Sequence, residues 1–487
     1  MKKKSRRSFL KKSSILGAGI FIVPRDVVGG KGFIPPSDRL NIAAIGAGGK
    51  GADIQHSWAS GERVIALCDV HPNGKHGVIQ SRNKYPEANF YTDFNELLEK
   101  ENDLDAVTIS TPDHTHGVIG NRAMNKGLHV YIQKPLTHNI EEARQLTITA
   151  RKNKVITQMG NQGGSCIGVQ KVSEWVDSNM IGKIRKIYAW TNRPVWPQGF
   201  KMPAPSSEKP DGLEWDLWLG PAKRMEYRPE FHPFNWRGWW DYGTGALGDM
   251  GCHILDVPVK ALKLGYPTDV ECSVAKIYEK MWSANYYPEG PPAASLVTLH
   301  FEKNEKTRSN VEMVWMDGGI IPPRPEIIPP DDYLGEKGNG NGVLIIGDDG
   351  VISCGVYGLN PKLYRKGSNT LHLNTDTIYN KNNSLDHLHH KEWIDAIKGG
   401  IGSPEYDKLT APIEYSGPFT EIVLMGNLAL RSYMLKDGDD FIGRKKLLWD
   451  GKNTKITNFE KANQFVGRNR SCLLYTSPSP RDSGPSR

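Results

Sequence analysis

The chain has 487 residues, enough for two or more domains with large buried cores, and 38% of them are hydrophobic, ordinary for a soluble protein. Its formal charge of +8 misleads, because seven positive charges sit in the first twelve residues and the remainder is close to neutral. That balance excludes nucleic acid and anionic membrane surfaces as the partners the body of the chain is built for. Six cysteines (Cys68, Cys166, Cys252, Cys272, Cys354 and Cys472) have no paired spacing. Neither a disulfide framework nor a zinc motif is expected, and no metal.

The first segment reads as an address. Ser5-Arg6-Arg7-Ser8-Phe9-Leu10-Lys11 has the twin-arginine pattern, and the apolar run from Ile15 to Val23 is short for a bilayer span. Residues 1–38 are expected to be a twin-arginine signal and linker that sends an already folded protein to the periplasm. An uncleaved signal would leave it tethered to the membrane.

Residues 39–164 read as a dinucleotide-binding domain. The strand-length run Leu40 to Ile45 leads straight into Gly46-Ala47-Gly48-Gly49-Lys50-Gly51, and a helical stretch follows. In that setting Gly46 permits the turn, Gly48 lets a pyrophosphate approach the backbone, and Gly51 lets helix and strand pack closely. A second run, Val64 to Cys68, ends at Asp69. A carboxylate there can accept the adenosine ribose hydroxyls and would repel a 2′-phosphate, so NAD is favoured over NADP. Further runs (Ala106 to Ile109, Leu128 to Ile132, Val155 to Met159) alternate with amphipathic stretches such as Ile140 to Asn153. The alternation predicts an α/β, doubly wound parallel sheet with its ligand at the carboxyl ends of the strands. Those ends carry Thr111, Pro112, His116, Lys134, Asn161 and Gln162, which join Gly46, Gly48, Gly51 and Asp69 as candidate cofactor-binding residues. Lys134, fixed by Pro135, suits proton transfer or hydrogen bonding to a reacting hydroxyl; a surface lysine at the sheet edge is the other reading.

From about residue 165 to 455 the pattern changes. Ile184 to Thr191, Val270 to Tyr278, Ser295 to Phe301 and Val311 to Trp315 alternate, and Gly342 to Cys354 reads as a hairpin around Asp348-Asp349-Gly350. These predict a mostly antiparallel sheet. Long loops rich in Pro, Gly and Trp separate the strands, notably 194–233 and 320–342. Within Asn235 to Tyr242 the aromatic and polar residues Trp236, Arg237, Trp240, Asp241 and Tyr242 are candidates for binding sugar faces and hydroxyls. His387-Leu388-His389-His390 lacks carboxylate or Cys ligands at suitable spacing apart from Glu392 and is read as part of an amphipathic helix. Pro418 to Leu435 is read as a further helix that returns to the domain junction. Residues 471–487, rich in Ser and Pro, read as a non-native disordered tail.

Between them lies Gly245-x-x-x-Asp249-x-x-x-His253. Asp249 and His253 are four apart, so on a helix they share a face. A carboxylate beside an imidazole can do general acid–base chemistry at neutral pH, although a plain surface pair has the same spacing. Gly245, Gly248 and Gly251 are poor helix residues, which suggests close approach by a ligand or by neighbouring backbone.

Gly46-x-Gly48-x-x-Gly51, Asp69, Thr111-Pro112-Asp113-His114-Thr115-His116, Lys134-Pro135 and Gly245-x-x-x-Asp249-x-x-x-His253 together resemble the Gfo/Idh/MocA (glucose–fructose oxidoreductase / inositol dehydrogenase) family, from about residue 39 to 450. The usual Glu-Lys-Pro stands here as Gln133-Lys134-Pro135. The resemblance implies an N-terminal Rossmann domain and a C-terminal α+β domain on a large open, mainly antiparallel sheet. The outer face of that sheet commonly mediates homo-oligomers, dimers or tetramers. It implies Lys134, Asp249 and His253 as the catalytic group, with NAD as cofactor and a carbohydrate as substrate. His253 would be the base, Asp249 would orient the substrate and the imidazole, and Lys134 would hydrogen-bond substrate and nicotinamide ribose. Three functions follow as expectations: an NAD(P)-dependent sugar or cyclitol oxidoreductase, an NAD-assisted glycosidase that oxidises, eliminates and re-reduces, or a nucleotide-binding protein without catalysis.

Overall fold

A computed structural model describes residues 35–379 and 383–468. The expected twin-arginine segment and the 471–487 tail lie outside the described residues.

The apolar runs of the first half form six strands: β1 (Asn41–Ile45), β2 (Arg63–Cys68), β3 (Asn89–Tyr91), β4 (Ala106–Ile109), β5 (His129–Gln133) and β6 (Thr157–Gly160). They make one parallel sheet in the order β3-β2-β1-β4-β5-β6. Ile42, Ala43, Ala44, Ala106 and Val107 have no exposure. A parallel sheet covered on both faces explains why these strands are continuous apolar runs rather than alternating ones. Strand order reverses between β1 and β4, and the crevice of such a sheet opens at that switch point. The helix Ile140–Asn153 has the expected bounds, capped by the Asn139 side chain accepting from Glu142 N. β3, three residues long, carried no periodicity to read.

The second half builds a ten-stranded sheet. Its members include β7 (Ile184–Thr191), β8 (Asp269–Val274), β9 (Ser295–Phe301), β10 (Val311–Met316), β11 (Asn341–Gly347), β12 (Gly350–Cys354), β13 (Lys362–Arg365) and β14 (Leu371–His372). The order is β14-β13-β12-β11-β7-β10-β9-β8, continued by Leu447–Asp450 and Lys455–Ile456. β7 and β10 run parallel and the remaining pairs antiparallel. The predicted run to Tyr278 leaves the sheet at Val274.

Period two sorts the side chains of β10. Val311, Met313 and Trp315 face a core shared with the helices Gly245–Ile254, Asp256–Leu262 and Ile413–Tyr433. Val314 and Met316 point the other way, against Trp190, Leu344 and Tyr364, under Ile328 and Leu334 of the 320–342 loop. Part of the sheet's outer face is therefore covered by the chain's own loop.

The helix Ile413–Tyr433 begins five residues before Pro418, which the sequence reading took as its start. It packs against both the helix Ile140–Asn153 of the first half and the helix Gly245–Ile254 of the second. Arg144, on the first of these, makes two hydrogen bonds of 2.8 Å to the buried Glu421 carboxylate and so pins the halves together. Among the described residues no helix is long and apolar enough to cross a membrane.

Candidate active site

At the end of β1 the backbone turns at Gly46, whose φ is +81°. Its N–H donates to the Cys68 carbonyl at 2.8 Å, and a Cβ there would lie 2.8 Å from the Ser110 carbonyl group. Only glycine fits both demands. At Gly51 a Cβ would overlap the Gly46 oxygen at 1.7 Å, so this glycine serves the close pass of helix and strand. Asp69, at the end of β2, accepts from Gly48 N at 3.1 Å and from His71 N at 3.0 Å. Burial raises its carboxyl to about 6 against these hydrogen bonds. A cavity of about 380 Å³ follows this edge, lined by Gly46, Gly48, Asp69, Thr111, Pro112 and Lys134 and closed from the second half by Trp218, Trp236 and Arg237.

Lys134 stands where β5 gives way to a cis Lys134–Pro135 peptide. Its Nζ donates to Asp249 Oδ1 and to the Asp249 carbonyl, both at 2.8 Å. Arg237 Nε donates to the same Oδ1 at 3.3 Å. Burial pushes the Asp249 carboxyl up, but Lys134 and then Arg237 outweigh it and hold the group below the usual carboxylate range. One turn on, His253 is 5% exposed and its Nδ1 is buried without a hydrogen-bond partner. Burial, and next the nearby Lys134 ammonium, push its pKa well below normal, so the imidazole is neutral. Asp249 spends its Oδ1 on the two cations, and the described hydrogen bonds include none from it to His253. The Tyr357 ring meets the His253 ring edge-on at 4.8 Å, from a backbone held at φ +62°. A neutral imidazole, a lysine ammonium and a clamped carboxylate thus lie close to one another at the carboxyl end of the parallel sheet; of the three residues only Lys134 lines the cavity.

The entry to the helix that carries Asp249 and His253 is held by groups from both halves. Asp113 Oδ2 accepts from Thr244 N at 3.1 Å and Thr244 Oγ1 at 2.6 Å, and Asn427 Nδ2 donates to the Thr244 carbonyl at 2.9 Å. His114 N donates to the Tyr242 carbonyl at 3.2 Å. The glycines of this helix yield to the protein itself rather than to a ligand. A Cβ at Gly248 would strike Thr244 Oγ1 at 1.9 Å, and one at Gly251 would press Leu247 and Val423 at 3.0 and 3.2 Å.

Several sequence-read residues fall elsewhere. His116 borders the cavity, but its Nδ1 and Nε2 each lie 2.8 Å from a carbonyl, of Pro135 and Thr111, which makes it a strut between two strand ends. Asn161 is wholly buried with both amide atoms unpaired, and neither it nor Gln162 lines the cavity. Of the expected sugar wall, Trp236 and Arg237 reach the cavity. Tyr242 has no exposure and packs among Trp218, Phe231 and Trp239. Trp240 lies against Ile140, Leu428 and Arg431, and Asp241 is exposed outside the cavity. The cause is burial: large aromatics in a loop of this size form its core first.

Gln133, in place of the family carboxylate, donates from Nε2 to Asp53 Oδ2 at 3.4 Å, and Lys134 takes its carboxylate from Asp249 instead. Asp53 in turn pairs with Lys50, which also reaches Asp386 at 2.8 Å. His389 and His390 are buried structural residues. The first accepts from or donates to Ser165 Oγ at 2.8 Å and faces the Met159 carbonyl at 2.8 Å; the second stacks on Tyr131 at 4.0 Å. The sequence reading missed Asp113 as a clamp, although it lies inside the quoted Thr111-to-His116 motif, and Tyr357, for which no sequence signal existed.

A six-stranded parallel sheet with a glycine turn at its switch point, followed by a large mainly antiparallel sheet, defines an α/β nucleotide-binding fold joined to a second sheet. Residues 40–161 match the profile described as an oxidoreductase family with an NAD-binding Rossmann fold, and residues 166–275 match that family's C-terminal alpha/beta domain. Over these regions the chain matches the models of the Gfo/Idh/MocA family. A glycosyl hydrolase family 109 protein of Solibacter usitatus is 30% identical over 166 residues, 31% of this chain and 37% of that protein. The chain thus spans about two fifths of the length of such relatives. Among solved structures, the WlbA dehydrogenase of Bordetella pertussis in complex with NADH and UDP-GlcNAcA aligns with a TM-score of 0.54 at 12% identity, over 81% of this chain and 97% of that one. An inositol dehydrogenase homolog of Azotobacter vinelandii, complexed with NADH and myo-inositol, aligns with a TM-score of 0.51 at 15% identity, over 80% and 95%. These likenesses are of fold.

Proposed function

We propose that the protein is an NAD-dependent oxidoreductase that acts on a hydroxyl of a sugar or cyclitol. The observation that carries this reading is the Lys134–Asp249–Arg237 cluster beside a buried, neutral His253, at the strand ends of an NAD-binding fold. The residues suit the dinucleotide: Gly46 leaves no room for a side chain, and Asp69 stands at the end of β2 on the cavity wall. Gly46, Gly48, Thr111 and Pro112 would border NAD and Asp69 would take the adenosine ribose. NAD, when bound, accepts the hydride from the carbinol carbon. His253 takes the hydroxyl proton, so a C–H and an O–H bond are exchanged for a carbonyl. Lys134 Nζ donates a hydrogen bond to the reacting oxygen, and Asp249, itself held by Arg237, fixes that ammonium in place. WlbA and the inositol dehydrogenase homolog, named for sugar-nucleotide and cyclitol complexes, support a polyhydroxylated substrate.

A second reading rests on the relatives named glycosyl hydrolase family 109: transient oxidation, elimination of the aglycone, addition of water and re-reduction by the same NAD, with net hydrolysis. It accords with the twin-arginine segment, since an exported enzyme must regenerate the nucleotide it carries. On this account the protein works in the periplasm, cleaved from its signal or tethered by it, as a dimer or tetramer. Incubating the purified protein with p-nitrophenyl glycosides and no added NAD separates the two. Sustained nitrophenol release would replace net dehydrogenation by hydrolysis. Nucleotide reduction by free sugars without any release would leave the first reading standing.

A further inference from the structure

Three histidines far apart in sequence meet at the rim of the cofactor cavity. His71 follows β2, His76 lies in the turn before the helix Val78–Lys84, and His232 comes from the long loop of the second half. Each offers a ring nitrogen within 4.8 Å of the others'. The ring centroids are 5.7, 5.2 and 5.1 Å apart. His71 is 8% exposed, and its Nδ1 is buried with no hydrogen-bond partner. A buried imidazole nitrogen left unpaired is costly unless something fills its lone pair or takes its proton.

The geometry points to a divalent transition-metal site formed by His71, His76 and His232, of the zinc class. Neutral imidazoles at this spacing suit Zn²⁺, Co²⁺ or Ni²⁺ and not Mg²⁺ or Ca²⁺, which prefer oxygen. Burial first, and then the neighbouring rings, lower the pKa of His71 and hold His232 down at about 3; burial does the same for His76. All three are therefore already in the ligand form. A tetrahedral metal with nitrogen ligands at about 2.0–2.1 Å holds those nitrogens roughly 3.3 Å apart, so the partly exposed His76 and His232 rings must swing in by about 1 Å. His76 Nε2 lies 3.9 Å from Asp69 Oδ1, which sets a carboxylate beside the cluster.

Three protein ligands leave a fourth position open. His76 and His232 line the cavity, and the His76 ring lies so near Gly48 that a Cβ there would be 2.4 Å from it. The open position therefore faces the adenosine end of the site. The metal joins the two halves across that rim and takes water or a phosphate oxygen as its last ligand. This last point rests on the NAD reading above; the metal site itself does not.

The test is titration of untagged, chelator-treated full-length protein with Co²⁺, followed by its visible absorption, without nucleotide. One equivalent should bind and give the intense bands of a low-coordinate site. His76→Ala and His232→Ala should each weaken binding at least about 100-fold, while His372→Ala, on the exposed edge strand, leaves it unchanged. Circular dichroism of each variant establishes that it is folded. Binding by wild type no tighter than by the folded His76→Ala/His232→Ala double variant would overturn the site. Saturable Co²⁺ binding in a protein that takes up no NAD would keep the metal site and remove its link to the nucleotide.

Discussion

The two halves of the molecule place their functional groups by different means. In the first, Gly46, Asp69, Thr111 and Lys134 sit at the ends of strands β1, β2, β4 and β5. The hydrogen-bonded ladder of the sheet fixes where each leaves the backbone. In the second, Asp249 and His253 ride on a short helix entered through an irregular loop. Their aim depends on side-chain clamps: Asp113 on Thr244, Asn427 on the Thr244 carbonyl, and Lys134 with Arg237 on Asp249. A strand end is positioned by the fold, whereas a loop-borne helix is positioned by particular residues and can be displaced by losing one.

That contrast can be broken at both ends. Lys134→Ala and His253→Ala should each lower kcat by about 10³-fold or more, since they remove the donor and the base. His253→Ala should keep nucleotide affinity, measured by equilibrium titration, because the residue belongs to the other half. Near wild-type turnover in either would refute their roles. Asp113→Asn keeps shape but offers an amide N–H to the Thr244 donors. It should cost about 10²-fold in kcat through misplacement of Asp249 and His253, with little change in nucleotide affinity. Equal losses in kcat and nucleotide affinity would mean that the clamp serves both halves alike. Gly46→Ala is the converse experiment: strain of about 1–3 kcal/mol at a positive φ should appear as loss of nucleotide binding and thermal stability.

The pH behaviour separates the halves less strongly. His114, His232 and His389 are held neutral, with pKa values down at about 3. In the unfolded chain each takes its proton near pH 6.5. The unfolded state then binds more protons between those values, and stability falls as pH drops from about 6.5 toward 3. Asp53, Asp69 and Asp317, raised to about 6, oppose this between about pH 6 and 4. The larger histidine shifts should prevail, and thermal melts at pH 7, 5.5 and 4.5 should show a falling midpoint; a constant or rising one would contradict the burial assigned to these rings. Since His253 is also held neutral, the acid limb of kcat against pH should lie well below 6.5. The smallest effect expected is that of Tyr242→Phe. It removes a buried hydroxyl without a partner, so KM and stability should move within about 0.5 kcal/mol. A large rise in KM would restore Tyr242 to the sugar wall.

The difference between the halves also explains what the sequence could tell. The parallel strands and the glycine turn announce themselves because a two-faced buried sheet needs unbroken apolar runs, and helix Ile140–Asn153 has a cap at one end and a clear period. β3 is too short to carry a pattern, and Pro418 misled because a proline usually opens a helix but here sits inside one. At the site, the spacing of Asp249 and His253 was visible, and so was Lys134. That Asp249 gives its Oδ1 to two cations rather than to His253 was not, since Arg237 reaches it through tertiary packing. The histidines teach the same lesson twice. His387-Leu388-His389-His390 is conspicuous and mostly buried in structural contacts. His71, His76 and His232 lie far apart in sequence, yet their ring nitrogens come within 4.8 Å of one another. The aromatic loop was legible as a cluster but not as an orientation, because composition does not say which rings face inward.

The central claim is that a Lys134/His253 site oxidises a hydroxyl at NAD. It is tested most directly by single-turnover mixing of NAD-loaded protein with a panel of sugars and cyclitols, reading reduced nicotinamide fluorescence, in wild type and in His253→Ala carrying the same nucleotide. The account predicts a rapid rise with at least one substrate in wild type and none on that timescale in the variant. Equal rates in the two proteins, or a protein that binds no NAD at all, would contradict it.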